Sequence, residues 1–332
     1  MKVTVLLLSV DEAEMLERSL PAVIAQEPRP EVVVIDNECR DATPQLAARH
    51  GARHLRLAPR RSYAAAINEA ITQTDGDAVL LLNADCFLRP GFLAAALPRL
   101  SEPGIGSVAP KLIRVHGPQG LEPLDQIDTA AMVVDRRRKN GLVGHGRPAH
   151  GFTRAAPVFG ADGAAALYRR ETLACCALAG GREVLDEDME LWASDADLAW
   201  RAQLLGWRSV YEPGAVAEHV RTYSPSTRGQ MSEPDRRLQF RNRYLMMLKN
   251  ETGSGLLRDL PWIAGYEVAA LGHVLLRERH LLRGYGDAWT LRRGTWRRRR
   301  VIQARRVRSS TSAVRAPASA VRAPPFGLRA PE

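Results

Sequence analysis

Three groups of carboxylates and one histidine are the side chains best placed by type and spacing to do chemistry. Asn83-Ala84-Asp85 closes one aliphatic run and Asp36-Asn37 closes another. Asp186-Glu187-Asp188 and Ser194-Asp195-Ala196-Asp197 make the densest acidic stretch, and His219 follows a short β-branched segment. A hard divalent cation takes oxygen ligands, so an acid projecting from a strand end, such as Asp85, can bridge it to phosphate oxygens. An acid such as Asp36 can accept the N3 hydrogen of a uracil or thymine. A carboxylate within hydrogen-bond reach of a hydroxyl can act as a general base. Each group also has an ordinary reading, since Asx residues favour turns, acids favour helix N-termini, and a lone histidine is often structural.

The elements that must position these groups are legible as alternating patterns. Residues 3–8, 31–35, 53–57 and 78–82 read as buried strands, with helical periodicity over 13–24, 43–49, 63–72 and 91–100 between them. Such alternation predicts a parallel sheet with right-handed crossovers and a ligand outside the carboxyl ends of its strands. The places to look are therefore 9–12, 36–41 and 83–85, all polar and acidic. Pro21 is expected to kink or shorten the first helix. Further on, the patterns predict a strand over 106–113 and a hairpin of 129–135 with 141–144. A helix over 197–205 and a short strand over 209–212 follow. After about residue 230 the chain reads as helical, and 309–332 as a disordered Ala/Ser/Pro/Arg tail.

The net charge is +10, but it is unevenly spread. Residues 277–332 hold 15 Arg and three acids, which leaves 32 basic and 34 acidic residues on the first 276. A body so near neutrality argues against a nucleic-acid binder. The four cysteines have no CxxC spacing and are expected to be reduced thiols. The apolar run 3–8 is too short for a secretory signal, and 262–276, interrupted by Glu267 and His273, is too short to span a bilayer. A cytoplasmic protein is expected.

Six segments in one order carry more than any of these groups alone: VVVIDNECRDAT, YAAAINEAI, GDAVLLLNADCFLRPGFL, VFGADGAAALYRRETL, LDEDMELWASDADLAWRAQLLGWR and AVAEHV. Together they resemble the inverting family 2 glycosyltransferases, in particular the rhamnosyltransferase-like branch that builds cell-surface polysaccharides, across residues 3–280. The resemblance implies a GT-A fold, a Rossmann-like mixed central sheet flanked by helices, with a C-terminal helical extension. It also implies a dTDP-, UDP- or GDP-linked sugar donor, Mg2+ or Mn2+, and inversion by single displacement onto a polyprenyl-linked or glycan acceptor in cell-envelope synthesis, with rhamnose as one candidate sugar. By position, Asp36 matches the base-reading acid, Asp85 the metal-binding acid, His219 the distal metal or diphosphate ligand and Asp195 the catalytic base. Ser9, Asp11, Asn37 and Asn83 complete the donor side, and Phe159, Gly160, Ala161 and Asp197 the acceptor side.

Three positions depart from the family pattern. Val10-Asp11 stands where Tyr-Asn is usual, Ala84 where Pro is usual, and Ser194 where an acid usually precedes the base. The last leaves Asp197 or Asp188 open as the base, and leaves open a catalytically silent sugar-nucleotide-binding or scaffold subunit. A nucleotidyltransferase would need a Gly-rich, basic loop after the first strand, which residues 8–12 lack. The implied organisation is a catalytic domain over 1–230, a basic helical region over 231–308 and the tail. In the basic region Trp262, Trp289 and Trp296 stand among Leu and Arg. That mixture suits an anionic membrane surface, here the inner face of the plasma membrane. On charge alone, removing everything after residue 276 should leave a folded body.

Overall fold

Four strands in parallel form one half of the central sheet in the computed structural model, which describes residues 1–115, 122–178, 180–223 and 227–307. They are β1 (Val3–Ser9), β2 (Glu31–Asn37), β3 (Arg53–Leu57) and β4 (Ala78–Asn83). The crossovers between them are helices α1 (Ala13–Ile24), α2 (Thr43–Arg49) and α3 (Tyr63–Thr72). β1 lies between β2 and β4, buried along its whole length, because helices cover both faces of the sheet and every position must then be apolar. Register aligns the strand ends: Ser9 pairs with Asp36 and Leu8 with Asn83, so the polar segments that follow β1, β2 and β4 emerge along one edge.

The other half of the sheet is mixed. β5 (Cys86–Leu88), α4 (Phe92–Ser101), β6 (Ile105–Val115), β7 (Pro123–Thr129) and the hairpin β8 (Met132–Val134) and β9 (Asn140–Leu142) come first. β10 (Ala156–Val158), β11 (Ala165–Arg169), α5 (Arg170–Cys176), α6 (Ser194–Leu204) and β12 (Arg208–His219) follow, and the main order is β10-β12-β6-β11-β4-β1-β2-β3. β11 runs antiparallel to β4, with Ala165 beside Leu82, which brings the segment before β11 to the same edge. His219 pairs with Cys86 of β5 and so stands next to Asp85.

Several sequence expectations change. The strand expected over 209–212 extends to His219, because residues beyond the irregularity between Glu212 and Val216 regain pairing with β6 and then with β5. α1 runs through Pro21 without ending there, since Leu16, Leu20 and Val23 on either side are fully buried and their packing outweighs one missing hydrogen bond. α6 begins three residues earlier than expected, so Asp195 lies inside its first turn. The four cysteines are free.

Three helices complete the described chain: α7 (Glu233–Asn250), α8 (Gly253–Leu276) and α9 (Leu282–Ala304). Ser232 and Thr252 cap the first two by accepting hydrogen bonds from Asp235 N and Gly255 N, at 3.2 Å each. α9 lies along α7 and inserts the fully buried Ile302 into a core with Trp200, Leu204 and Leu245. Its arginines are partly consumed by the body. Arg298 pairs with Glu183 at 2.7 Å and with Asp188, and approaches Asp186 at 3.4 Å. Arg299 and Arg305 donate to backbone carbonyls at 251 and 177. The expectation that the segment after 276 is separable therefore fails on packing, because that segment neutralises body acids and fills a body core. Among the described residues no helix is long and apolar enough to cross a membrane. The tail expected over 309–332 lies outside the described residues.

Candidate active site

The carboxyl ends of β1, β2 and β4 open into a cavity of about 1100 Å3, at the upper end of the range of small-molecule sites. Of the residues singled out from the sequence, Asn37, Asn83, Asp85, Asp195 and His219 line it. Its far wall comes from α7 and α8, through residues such as Phe240, Arg243, Tyr266 and His273.

Asp85 and His219 are neighbours, with Asp85 Oδ1 3.5 Å from His219 Nε2. Among the described residues that buried Asp85 oxygen accepts no hydrogen bond and has only the ion pair with the imidazole. His219 Nδ1 is held by Asp128 at 2.9 Å, which leaves Nε2 facing the cavity side. Burial works against the charged ring, but the carboxylates of Asp85 and Asp128 outweigh it and raise His219 to about 9. Once the imidazole gives up its Nε2 proton, its nitrogen and the neighbouring Asp85 carboxylate, both of residues on the cavity, make a donor set that fits Mn2+ or Mg2+.

Asp128 is a second junction. Burial would push its carboxyl up, yet His219 and Arg221 hold it well below the usual range. Arg221 Nε donates to both of its oxygens, at 2.7 and 3.0 Å, and Arg221 Nη2 reaches Asp162 at 2.8 Å. A continuous charged chain therefore runs from Asp85 through His219, Asp128 and Arg221 to Asp162. Asp195 stands at its far end. Its Oδ2 accepts from Gly163 N at 3.0 Å and its Oδ1 from Ala196 N at 2.8 Å. Burial first, and then the charge on Asp162, push the Asp195 carboxyl up to about 6 against those two N–H groups. A carboxylate raised toward neutrality on a cavity wall can take up a proton near neutral pH. The turn before α6 is strained, with Glu190 at φ 62° and Ala193 at φ 64°, both non-glycine, and both line the cavity.

Glu12, at the N-terminus of α1, is a further cavity acid. Burial, and then the negative charge of Asp85, push it up to about 7. It lies in the polar segment after β1 that sequence reasoning marked, but only the structure separates it from Ser9 and Asp11. Asp128 and Arg221 carry no local signal, and Asp162 none beyond its place in the segment VFGADGAAALYRRETL, since β7, the segment before β11 and the residues after β12 meet only in the fold.

Other expected site residues do not line the cavity. Alternation along β2 turns Asn37 toward it and Asp36 away. Asp36 is buried against Cys39 N, His54 and Arg56, at 2.7, 2.8 and 2.7 Å. Ser9 shares a hydrogen bond with Thr43 at 3.0 Å, and Asp11 pairs with Arg60 at 2.6 Å. Asp11, Cys39 and Asp41 bring ligand atoms within 4.8 Å of one another. Their atoms are already engaged, however: Asp41 binds Ala13 N at 2.7 Å, and the Cys39 thiol donates to Ser9 O at 3.2 Å. Phe159 belongs to the core under α6, Gly160 is pressed against Ala199, and Ala161 is fully buried, so Asp162, Gly163 and Ala164 form the wall instead. Asp197 points into the protein, 2.9 Å from Arg201 and 3.0 Å from Lys249. Lys249 also pairs with Asp186, and Arg298 with Asp188. The acidic stretch is thus split by helix geometry. Asp195 faces the cavity, whereas Asp186, Asp188 and Asp197 are paired with Lys249 of α7 and Arg298 of α9.

Comparison with known proteins is consistent with this geometry. The family model described as Glycosyl transferase family 2 matches residues 4–188. Uncharacterized protein y4gI of Sinorhizobium fredii (strain NBRC 101917 / NGR234) is 28% identical over 197 residues, covering 57% of this chain and 20% of that protein. A TPR repeat-containing protein of Synechococcus elongatus is 41% identical over 75 residues, covering 23% of this chain and 18% of the relative. The chain thus spans about a fifth of the curated relatives it matches. Among solved structures, S. aureus TarS 1-349 in complex with UDP-GlcNAc shares the fold with a TM-score of 0.58 at 16% identity, over 92% of this chain and 91% of that one. GalNAc-T7 with UDP, GalNAc and Mn2+ gives 0.60 at 14% identity, over 75% and 48% of the two chains. The mannosyltransferase PcManGT from Pyrobaculum calidifontis, in complex with GDP-Man and Mn2+, gives 0.50 at 19% identity, over 91% and 87%. The mixed sheet with its helical flanks is the GT-A fold.

Proposed function

This chain belongs to glycosyl transferase family 2, and from that premise we propose that it moves a sugar from a nucleotide-diphosphate donor to an acceptor hydroxyl with inversion. The observation that carries this reading is that one cavity is faced by Asp85 with His219 on one side and by Asp195 on the other. In the proposed reaction the acceptor hydroxyl gives its proton to Asp195 as its oxygen forms the new bond to the anomeric carbon. The bond from that carbon to the diphosphate breaks on the opposite face, and the nucleoside diphosphate leaves. Asp195 needs no partner nucleophile, since the diphosphate is already a good leaving group. Asp85 and His219 would hold Mn2+ or Mg2+, which when bound neutralises charge on the diphosphate. The Gly163 and Ala196 N–H groups orient Asp195, and Asn37 and Asn83, which line the cavity, would take the nucleotide side of the donor.

Structural relatives crystallised with UDP-GlcNAc, GDP-Man or UDP support a nucleotide-sugar donor. Within that class the sequence resemblance favours a deoxyhexose such as rhamnose and a polyprenyl-linked or polysaccharide acceptor in cell-envelope synthesis. Residues 1–230 would form the catalytic unit, and 231–308 would hold it peripherally at an anionic membrane, on its inner face. Calorimetry with UDP-, dTDP- and GDP-sugars in the presence of Mn2+ tests the core of the proposal. One donor should bind with metal dependence, and Asp85→Ala should abolish that dependence. Donor affinity unchanged by Asp85→Ala, or no binding by any nucleotide sugar, would refute it.

A further inference from the structure

α8 has two sides with different surroundings. With successive residues about 100° apart, Asp259, Ile263, Tyr266, Ala270, His273 and Val274 interleave within about 100° on one side, where Asp259 and Ile263 are buried against the body and Tyr266, Ala270, His273 and Val274 line the cavity. The remaining arc, about 160° wide and about 29 Å long by helix geometry, is apolar and open to solvent. It carries Leu257, Val268 and Leu276, exposed by 74%, 75% and 80%, together with Leu260, Leu271 and Leu275. No described segment covers this stripe, and soluble proteins rarely leave so large a contiguous apolar patch without a partner.

Charge around the stripe indicates what that partner is. Every acid of α8 and of the turn after it is already ion-paired: Asp259 with Arg138 at 3.0 Å, Glu267 with Arg243 at 2.6 Å, and Glu278 with Arg228 at 3.0 Å. Arg277, Arg279 and Arg283 follow the end of the stripe, all exposed and, among the described residues, in no salt bridge. A second copy of the chain would bring arginines against arginines with no free carboxylate to compensate. An anionic bilayer offers both complements, apolar depth and negative headgroups. Trp262, half exposed on the border between the stripe and the cavity arc, has the amphipathic character favoured at such an interface.

We propose that α8 lies along the surface of an anionic bilayer through the Leu257–Leu276 stripe, so that the cavity wall on its adjacent arc, at Ala269 and His273, stands at the membrane surface. An amphiphilic acceptor would then reach the cavity from the bilayer. This last step rests on the glycosyltransferase reading, whereas the docking does not. The placement refines the sequence expectation: Ile263 and Val274 face inward and Tyr266 faces the cavity, so only part of the apolar content of α8 is available for docking.

The test uses the full chain with phosphatidylcholine vesicles, with and without phosphatidylglycerol, in co-sedimentation at about 100 mM and about 500 mM salt, across which surface electrostatics are strongly screened. The wild-type chain should sediment with the anionic vesicles, and more weakly at high salt. Val268→Glu combined with Leu271→Glu, both at exposed positions, should lower partitioning by about tenfold or more at both salts, with circular dichroism and nucleotide-sugar binding unchanged. Brominated lipid should quench tryptophan fluorescence, and Trp262→Phe should lower the quenched fraction. Wild-type partitioning by the double variant, quenching unaffected by Trp262→Phe, or a vesicle-independent dimer that the double variant dissociates would each overturn the proposal. Failure of the wild type to bind any nucleotide sugar would instead count against the glycosyltransferase reading and leave the vesicle result standing.

Discussion

Replacing Asp128 by Asn should weaken the protein and its cation site together. The His219 ring is raised from 6.5 to about 9, a preference for the charged form worth about 3 kcal/mol at 1.36 kcal/mol per pKa unit. Asp128 is one of the two carboxylates responsible, so its loss removes about half of that. Arg221 would also exchange two charge-assisted bonds, at 2.7 and 3.0 Å, for bonds to a neutral amide, and keep only Asp162 at full strength. A difference of about 1.5 kcal/mol there brings the total to about 3 kcal/mol. For a chain of this length that is a fall in Tm of about 4 °C. The His219 share has a defined pH window. A group whose folded value is raised contributes its full stability below its unfolded value near 6.5 and loses it as pH rises through about 9. The gap between wild type and Asp128→Asn should therefore be widest near pH 6 and narrow above pH 9. Because Asp128 orients the imidazole, Mn2+ affinity should also fall by about 10- to 100-fold, as for other carboxylates behind a ligating histidine. Thermal unfolding at the two pH values and Mn2+ titration without donor are the assays. An unchanged Tm with a pH-independent gap would refute the electrostatic reasoning, and unchanged Mn2+ affinity would remove His219 from the cation site.

Asp195→Asn should keep donor binding but lower turnover by a factor on the order of 100 or more. Because the base must be ionised and its carboxyl is raised to about 6, wild-type kcat/KM should climb as pH passes through 6 and then level off. A profile flat across that range would exclude Asp195 as the base. Gly160→Ala would set a methyl 2.3 Å from Ala199 Cβ and should cost about 1–3 kcal/mol in denaturant unfolding, and a neutral result would mean that the contact yields freely. Truncation after Leu276 removes Arg298 from Glu183, Asp186 and Asp188, and Ile302 from its core. Emptying the Ile302 site in the core alone typically costs about 2–5 kcal/mol, so the shortened chain should unfold early or aggregate on heating. A soluble product with wild-type Tm would show that α9 is dispensable for the fold.

The parallel half of the fold and the position of Asp85 are determined by the sequence itself. Strands buried on both faces must be written as continuous apolar runs, and the polar residues that end such runs, 9–12, 36–41 and 83–85, have nowhere to emerge but one edge. Whether a residue on that edge faces the cavity is a matter of alternation and register, which is why Asn37 and Glu12 line it while Asp36 and Ser9 do not. The acidic run 186–197 shows the same limit: the sequence places six acids there, and only the arrival of Lys249 and Arg298 from distant helices ties up Asp186, Asp188 and Asp197 while Asp195 stays on the cavity. Asp128, Arg221 and Asp162 were beyond reach for a related reason. Their relationship exists only where β7, β12 and the segment before β11 converge, across up to 93 residues of chain. In α8 apolar residues recur all round the helix, so its sequence marks a helix that must be covered. Which arc is left outward, and which residues of the inner side meet the body or the cavity, depends on how the packed helices meet the sheet, a contact between elements that no local pattern encodes.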